Sequence, residues 1–142
     1  MARRVVLDTN ILVAALRSQR GASAAVLRRV GTGQFEFCLS VALLLEYESV
    51  LKRRSTGITL SPAAIDDILD YLAKVGQAQE IFFLWRPILP DPSDDHVLEV
   101  AVAGRCDTIV TFNRRDFRGA EQFGLVIALP AAFLTDLQSE ES

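Results

Sequence analysis

The stretch VVLDTNILVAAL, residues 5–16, decides the fold. Arg4-Val5-Val6-Leu7 is a short, mostly apolar run stopped at once by the charge of Asp8, and it reads as a buried strand. Asp8-Thr9-Asn10 are residues suited to capping a helix, and residues 11–17 that follow are apolar-rich. A strand that turns directly into a helix opens an alternating chain, and the rest of the sequence continues the alternation. Residues 23–30 read as a helix stopped by Gly31 and Gly33, residues 35–39 as a strand, and residues 41–53 as a helix capped by Ser40. Ser61-Pro62 opens a further helix whose apolar positions 65, 68, 69, 72 and 75 fit a 3.6-residue period, with Gly76 at its end. Residues 80–84 read as a short edge strand, 87–93 as loop, 94–103 as helix, 108–111 and 125–129 as strands, and 130–137 as a closing helix.

This pattern implies an α/β domain, a three-layer sandwich with a mainly parallel central sheet flanked by helices. No repeat, low-complexity segment or dividing linker interrupts it. One domain over residues 1–137 is expected, with a loose polar tail over 138–142. In such folds ligands bind beyond the carboxyl ends of the strands, at a switch point in strand order, so the residues that follow each strand matter most.

Composition narrows the chemistry. The chain has 142 residues, is 50% hydrophobic and 23% charged, and carries a net charge of −3. It is therefore a globular chain and not a uniformly basic nucleic-acid binder. The charge is unevenly spread: residues 1–54 hold 9 basic and 4 acidic side chains, residues 55–142 hold 6 and 14. No apolar run approaches the ~18–20 residues needed to cross a bilayer. With no secretory signal, Cys38 and Cys106 read as reduced thiols filling the core, and the cytoplasm is the expected compartment. One histidine, His96, and two cysteines make a zinc site a poor fit, and His96 reads as a helix-surface residue. Phe82, Phe83 and Trp85 read as core or dimer-interface residues. A metal here would be held by carboxylates, which favours Mg²⁺ or Mn²⁺.

The acids fall where such a site needs them. Asp8 follows the first strand, Asn113 and Asp116 follow the strand ending at Thr111, Glu46 lies on the helix after the second strand, and Asp94 and Asp95 begin a helix. Carboxylates brought together repel unless a cation offsets them. Taken singly, each has a plainer reading. Asp8 can be a helix cap, Asp94 and Asp95 can complement a helix dipole, and Asp116 can be a turn residue. Glu46 can be exposed, or paired with Lys52 or an arginine. No Ser-His-Asp set, Cys-His set or phosphate-binding glycine loop competes.

Four segments then carry a resemblance: VVLDTNILVAAL at 5–16, LLLEYESVL at 43–51, DPSDDHVLEVAVAG at 91–104 and DTIVTFNRRDF at 107–117. From Val5 to about Leu137 the chain resembles the PIN domain (PilT N-terminus) ribonucleases, in the bacterial branch of toxin–antitoxin toxins. The resemblance implies a metal-dependent endoribonuclease that hydrolyses RNA phosphodiesters. It implies Asp8, Glu46 and Asp95 as metal-binding acids, with Asp94 as the alternative to Asp95. The family's fourth acid falls at Asn113, a departure from the commonest pattern, and Asp116 would then supply the remaining charge directly or through water. Thr9, Asn10 and Thr111 would orient the carboxylates. Arg114, Arg115 and Arg118, with Arg17 and Arg20 as a second patch, would grip the RNA backbone. The resemblance further implies an antitoxin partner and a homodimer. The Asn113 departure keeps open a non-catalytic RNA-binding or regulatory PIN module. A phosphatase-like or receiver-like domain with Asp8 as nucleophile lacks its second acid and its late lysine.

Overall fold

A computed structural model describes residues 3–81 and 95–141. Among them five strands, β1 (Arg3–Leu7), β2 (Phe35–Leu39), β3 (Gln77–Ala78), β4 (Thr108–Val110) and β5 (Val126–Ala128), form one parallel sheet in the order β3-β2-β1-β4-β5. Among the described residues six α-helices flank it: α1 (Thr9–Arg17), α2 (Ala22–Arg28), α3 (Val41–Leu51), α4 (Pro62–Val75), α5 (Asp95–Ala103) and α6 (Pro130–Glu141). The expected α/β sandwich is the observed architecture.

The local reasons are visible in the residues. Val5, Val6 and Leu7 are fully buried, as both faces of a central parallel strand must be. The Ser40 hydroxyl accepts from the Leu43 N–H and the Ser61 hydroxyl from the Ala64 N–H, each at 3.1 Å, so α3 and α4 begin where the sequence places their caps. Gly76 ends α4 because the chain passes so close to Leu39 and the Leu72 carbonyl that a Cβ has no room. Successive residues of a strand face opposite ways, and the helices divide accordingly. Phe35 meets Phe133 of α6 edge to face at 5.3 Å. On the other face, Arg4 donates to the Gly104 carbonyl at the end of α5, and Cys38 lies against Gly104. There the buried Cys106 thiol donates to Cys38, a contact that lowers the Cys38 pKa and raises that of Cys106.

Three expectations need correction. The edge strand is Gln77–Ala78 and not 80–84: Glu80 and Ile81 are outside any strand, and 82–84 lie outside the described residues. A two-residue strand carries no alternation to read, and both of its residues are exposed. The polar segment after Leu137 is not a loose tail, because α6 runs on to Glu141. Among the described side chains Leu137 is the last core contact, and backbone bonding carries the helix further, with Ser139 Oγ also donating to the Thr135 carbonyl at 3.1 Å. His96 is only partly at the surface, since α5 packs against β1, β2, β4 and α3 and leaves it of intermediate burial. Its Nδ1 is buried without a hydrogen-bond partner among the described residues. Residues 87–93, with Phe82, Phe83, Trp85 and Asp94, also fall outside the described residues. No described helix is long and apolar enough to cross a membrane.

Candidate active site

The strand order reverses between β1 and β4. The chain adds β2 and β3 on one side of β1, then returns to add β4 and β5 on the other. The loops leaving β1 and β4 therefore diverge at one crevice, at the carboxyl edge of the sheet. Asp8 leaves β1 there, and Thr111 leaves β4.

Asp8 holds the cap position of α1 with an extended backbone, but its carboxylate does more than cap. One oxygen accepts from the Thr9 N–H at 2.8 Å, the first N–H of the helix and not the second or third that a cap usually satisfies. The other accepts from the Thr111 hydroxyl at 2.7 Å, across a sequence separation of 103 residues. Asp8 is only 7% exposed. Burial pushes its pKa above the ordinary 3.8, and the charges of Glu46 and Asp116 push the same way, while the Thr111 and Thr9 bonds pull it back in part.

Glu46 does not behave as a solvated helix residue. Half-buried, it accepts the Thr9 hydroxyl at 2.7 Å. Lys52, its simplest ion partner by sequence, instead pairs with Glu48 at 2.9 Å and Asp66 at 2.6 Å. The next residue, Tyr47, fixes the helix that carries Glu46. Its hydroxyl is fully buried and donates to the Leu7 carbonyl at 2.5 Å, one residue before Asp8. Burial first, then the charges of Asp8 and Glu46, hold the phenol well above its ordinary pKa, so it stays a donor. The sequence reading missed Tyr47, whose place among the apolar residues of α3 signals only core.

Thr111 is the hub on the β4 side. Fully buried, its oxygen also accepts the Asn113 N–H at 3.0 Å and lies 3.5 Å from the Asn10 amide. The Asn10 carbonyl oxygen in turn faces the Phe112 N–H at 3.5 Å. The residues read as orienting groups, Thr9, Asn10 and Thr111, thus link β1, α3 and β4. A Thr111→Val variant keeps the shape and removes this hub. Its expected effect is a further rise in the Asp8 pKa, read by NMR titration, and a 10- to 100-fold fall in divalent-ion affinity, on the order seen when such outer partners are removed.

The remaining residues separate. Asp116 is half-buried and close enough for its charge to act on Asp8. Asn113 is exposed. Asp95 is buried at the start of α5, a helix that packs against β1 and α3, the elements leading to Asp8 and Glu46. Arg114, Arg115 and Arg118 line a groove of about 880 Å³ beside Asp116, with Phe112, Val126 and Leu129 among its other walls. Arg17 and Arg20 are exposed but do not line it. The described acids offer hard oxygen donors, and a buried carboxylate crowded by two like charges fits a divalent cation in kind. Among the described residues, however, no three such side chains are gathered at one ligating point.

A sheet of this order, with an acid at its switch point, defines a carboxylate-bearing α/β domain. Residues 4–115 match the family model described as PIN domain. The chain belongs to the PIN domain family. Among solved structures, the crystal structure of VapBC2 from Rickettsia felis bound to a DNA fragment from their promoter contains a similar chain. The identity is 16%, the match covers 89% of this chain and 98% of that one, and the TM-score is 0.59, a likeness of fold. No curated protein matches the chain.

Proposed function

We propose that the protein is a Mg²⁺- or Mn²⁺-dependent endoribonuclease, the toxin of a toxin–antitoxin pair. The observation that carries this reading is Asp8: buried at the switch point, oriented by Thr111 and Thr9, and raised in pKa by burial with Glu46 and Asp116 beside it. Membership of the PIN family supports nuclease chemistry, and the fold shared with a VapBC2 chain supports a partner protein.

In this reading Asp8, Glu46 and Asp95 (or Asp94 in its place) hold the cation, Asn113 stands at the fourth position, and Asp116 supplies the remaining charge directly or through water. When bound, the ion supplies an activated water and offsets the charge that develops on the phosphodiester. The protein's own residues do the rest. Thr111 and Thr9 fix the Asp8 and Glu46 carboxylates, so no reorientation is needed during reaction. Arg114, Arg115 and Arg118 hold the flanking phosphates. On α3, Val41 and Leu45 are exposed apolar residues one turn apart near Glu46, and they support a protein contact on that face, with an antitoxin or a second copy.

Purified protein, mixed with RNA and either Mn²⁺ or Mg²⁺, is expected to cleave internally, with no cleavage in EDTA. Cleavage that survives unchanged in Asp8→Asn would sink the assignment. Exposed Asn113, and the lack of three gathered ligands among the described residues, favour a second reading, a non-catalytic RNA-binding module. Calorimetry with Mn²⁺ separates the two. Binding that is lost in Asp95→Asn supports the enzyme, and absence of binding supports the module.

A further inference from the structure

We propose that Phe112 is a nucleobase-stacking residue and that the groove it opens seats single-stranded RNA beside Asp116. The inference rests on the nuclease reading for the word RNA, but its physical basis is separate. Phe112 is 46% exposed, whereas Phe35, Phe37, Phe117 and Phe133 are all at least 97% buried. The ring is not isolated: Val126, 56% exposed, and Leu129, 38% exposed, line the same groove, and an apolar patch rimmed by charged side chains is the mark of a binding groove. Phe112 directly follows Thr111, which holds Asp8, and its N–H faces Asn10. Its backbone is thus anchored beside Asp8's partner, and its side chain lines the groove together with Asp116.

The groove extends from this ring. Arg114, Arg115 and Arg118 line it with the carboxylates of Asp116 and Glu121, and Val126 of β5 and Leu129 just after it add apolar lining. An aromatic face among guanidinium groups is the surface that single-stranded nucleic acid needs: the base stacks while the phosphates are neutralised. A duplex keeps its base faces inside its own stack and offers the ring nothing. An acidic peptide would satisfy the arginines but leave the ring without a role.

Full-length protein carrying Asp8→Asn, to block cleavage, is titrated in Mg²⁺ with a labelled oligoadenylate, an RNA duplex of equal length and an oligoglutamate. Phe112→Leu is expected to weaken oligoadenylate binding roughly 5- to 100-fold, the range typical of losing one base–aromatic stack. Phe112→Tyr restores it, and duplex binding does not change. The thermal midpoint of each variant checks that the fold is intact. In a Trp85→Phe background, Phe112→Trp gives an indole whose fluorescence the oligoadenylate quenches and the oligoglutamate does not. Equal oligoadenylate binding by Phe and Leu at 112, an equal loss on the duplex, or quenching by oligoglutamate overturns the proposal. Failure of the nuclease reading looks different. Absent cleavage with Phe112-dependent RNA binding removes the enzyme and keeps the stack. Cleavage with unchanged KM in Phe112→Leu removes the stack and keeps the enzyme.

Discussion

Asp8→Asn is expected to lower RNA cleavage by at least about 10²-fold, the upper effect of removing a mere outer partner of a metal ligand. The same change is expected to raise stability in metal-free solution. Burial, then Glu46 and Asp116, hold the folded Asp8 above 3.8, whereas in the unfolded chain it titrates near that value. Below pH 3.8 the group is protonated in both states and has no effect on folding. As pH rises through the folded value, the unfolded chain ionises more readily, and the folded state loses stability. Asparagine has no such ionisation. Its thermal midpoint in EDTA at pH 7 should therefore exceed that of the wild type, and the gap should close as pH falls toward 3.8. Each kcal/mol of relief moves the midpoint by about 2–8 °C for domains near this size. Added Mn²⁺ should reverse the order, raising the wild type and leaving Asp8→Asn unmoved. An Asp8→Asn protein less stable than the wild type across this range would mean that the carboxylate is a structural cap and nothing more.

Tyr47→Ala is expected to have the largest effect on stability, about 3–5 kcal/mol, the cost of emptying a fully buried aromatic site. Tyr47→Phe isolates the hydroxyl. It leaves the Leu7 carbonyl without its side-chain donor, for about 1–3 kcal/mol. Chemical denaturation gives both values. Tyr47→Phe should also lower cleavage while the protein remains folded, because the lost bond ties α3, and with it Glu46, to the end of β1. A Tyr47→Phe protein of wild-type activity and reduced stability would show that α3 is held in place by packing alone.

The sequence told more about the frame than about the groove. Ser40, Ser61-Pro62 and the 3.6-residue period of α4 marked helix starts by local chemistry, and local chemistry is what a sequence displays. Asp8 and Thr111 could be placed at the carboxyl edge because each ends an apolar run. The Thr9–Glu46 bond was not legible in detail: it depends on how α3 lies across β1, which packing sets. Tyr47 was invisible for the same reason, since an amphipathic residue on a mostly apolar helix reads as core until its hydroxyl's partner is known. Phe112 was hidden by its position, because a phenylalanine at the end of a buried strand looks like the strand's last core residue. In the structure its ring is 46% exposed. Gln77–Ala78 was missed because pairing with β2, and no pattern of its own, makes it a strand.

The strand order has a consequence for synthesis. Thr111 is made 103 residues after Asp8 and must slot its strand beside the first of the described strands. Asp116 and the groove arginines come later still. A chain emerging from the ribosome thus carries Asp8 for 103 further residues of synthesis without the hydroxyl that aims it. Contacts this distant along the chain form slowly and late. The β4 side of the site is therefore built last, and a fragment ending at Gly104 would hold Asp8 and Glu46 without it.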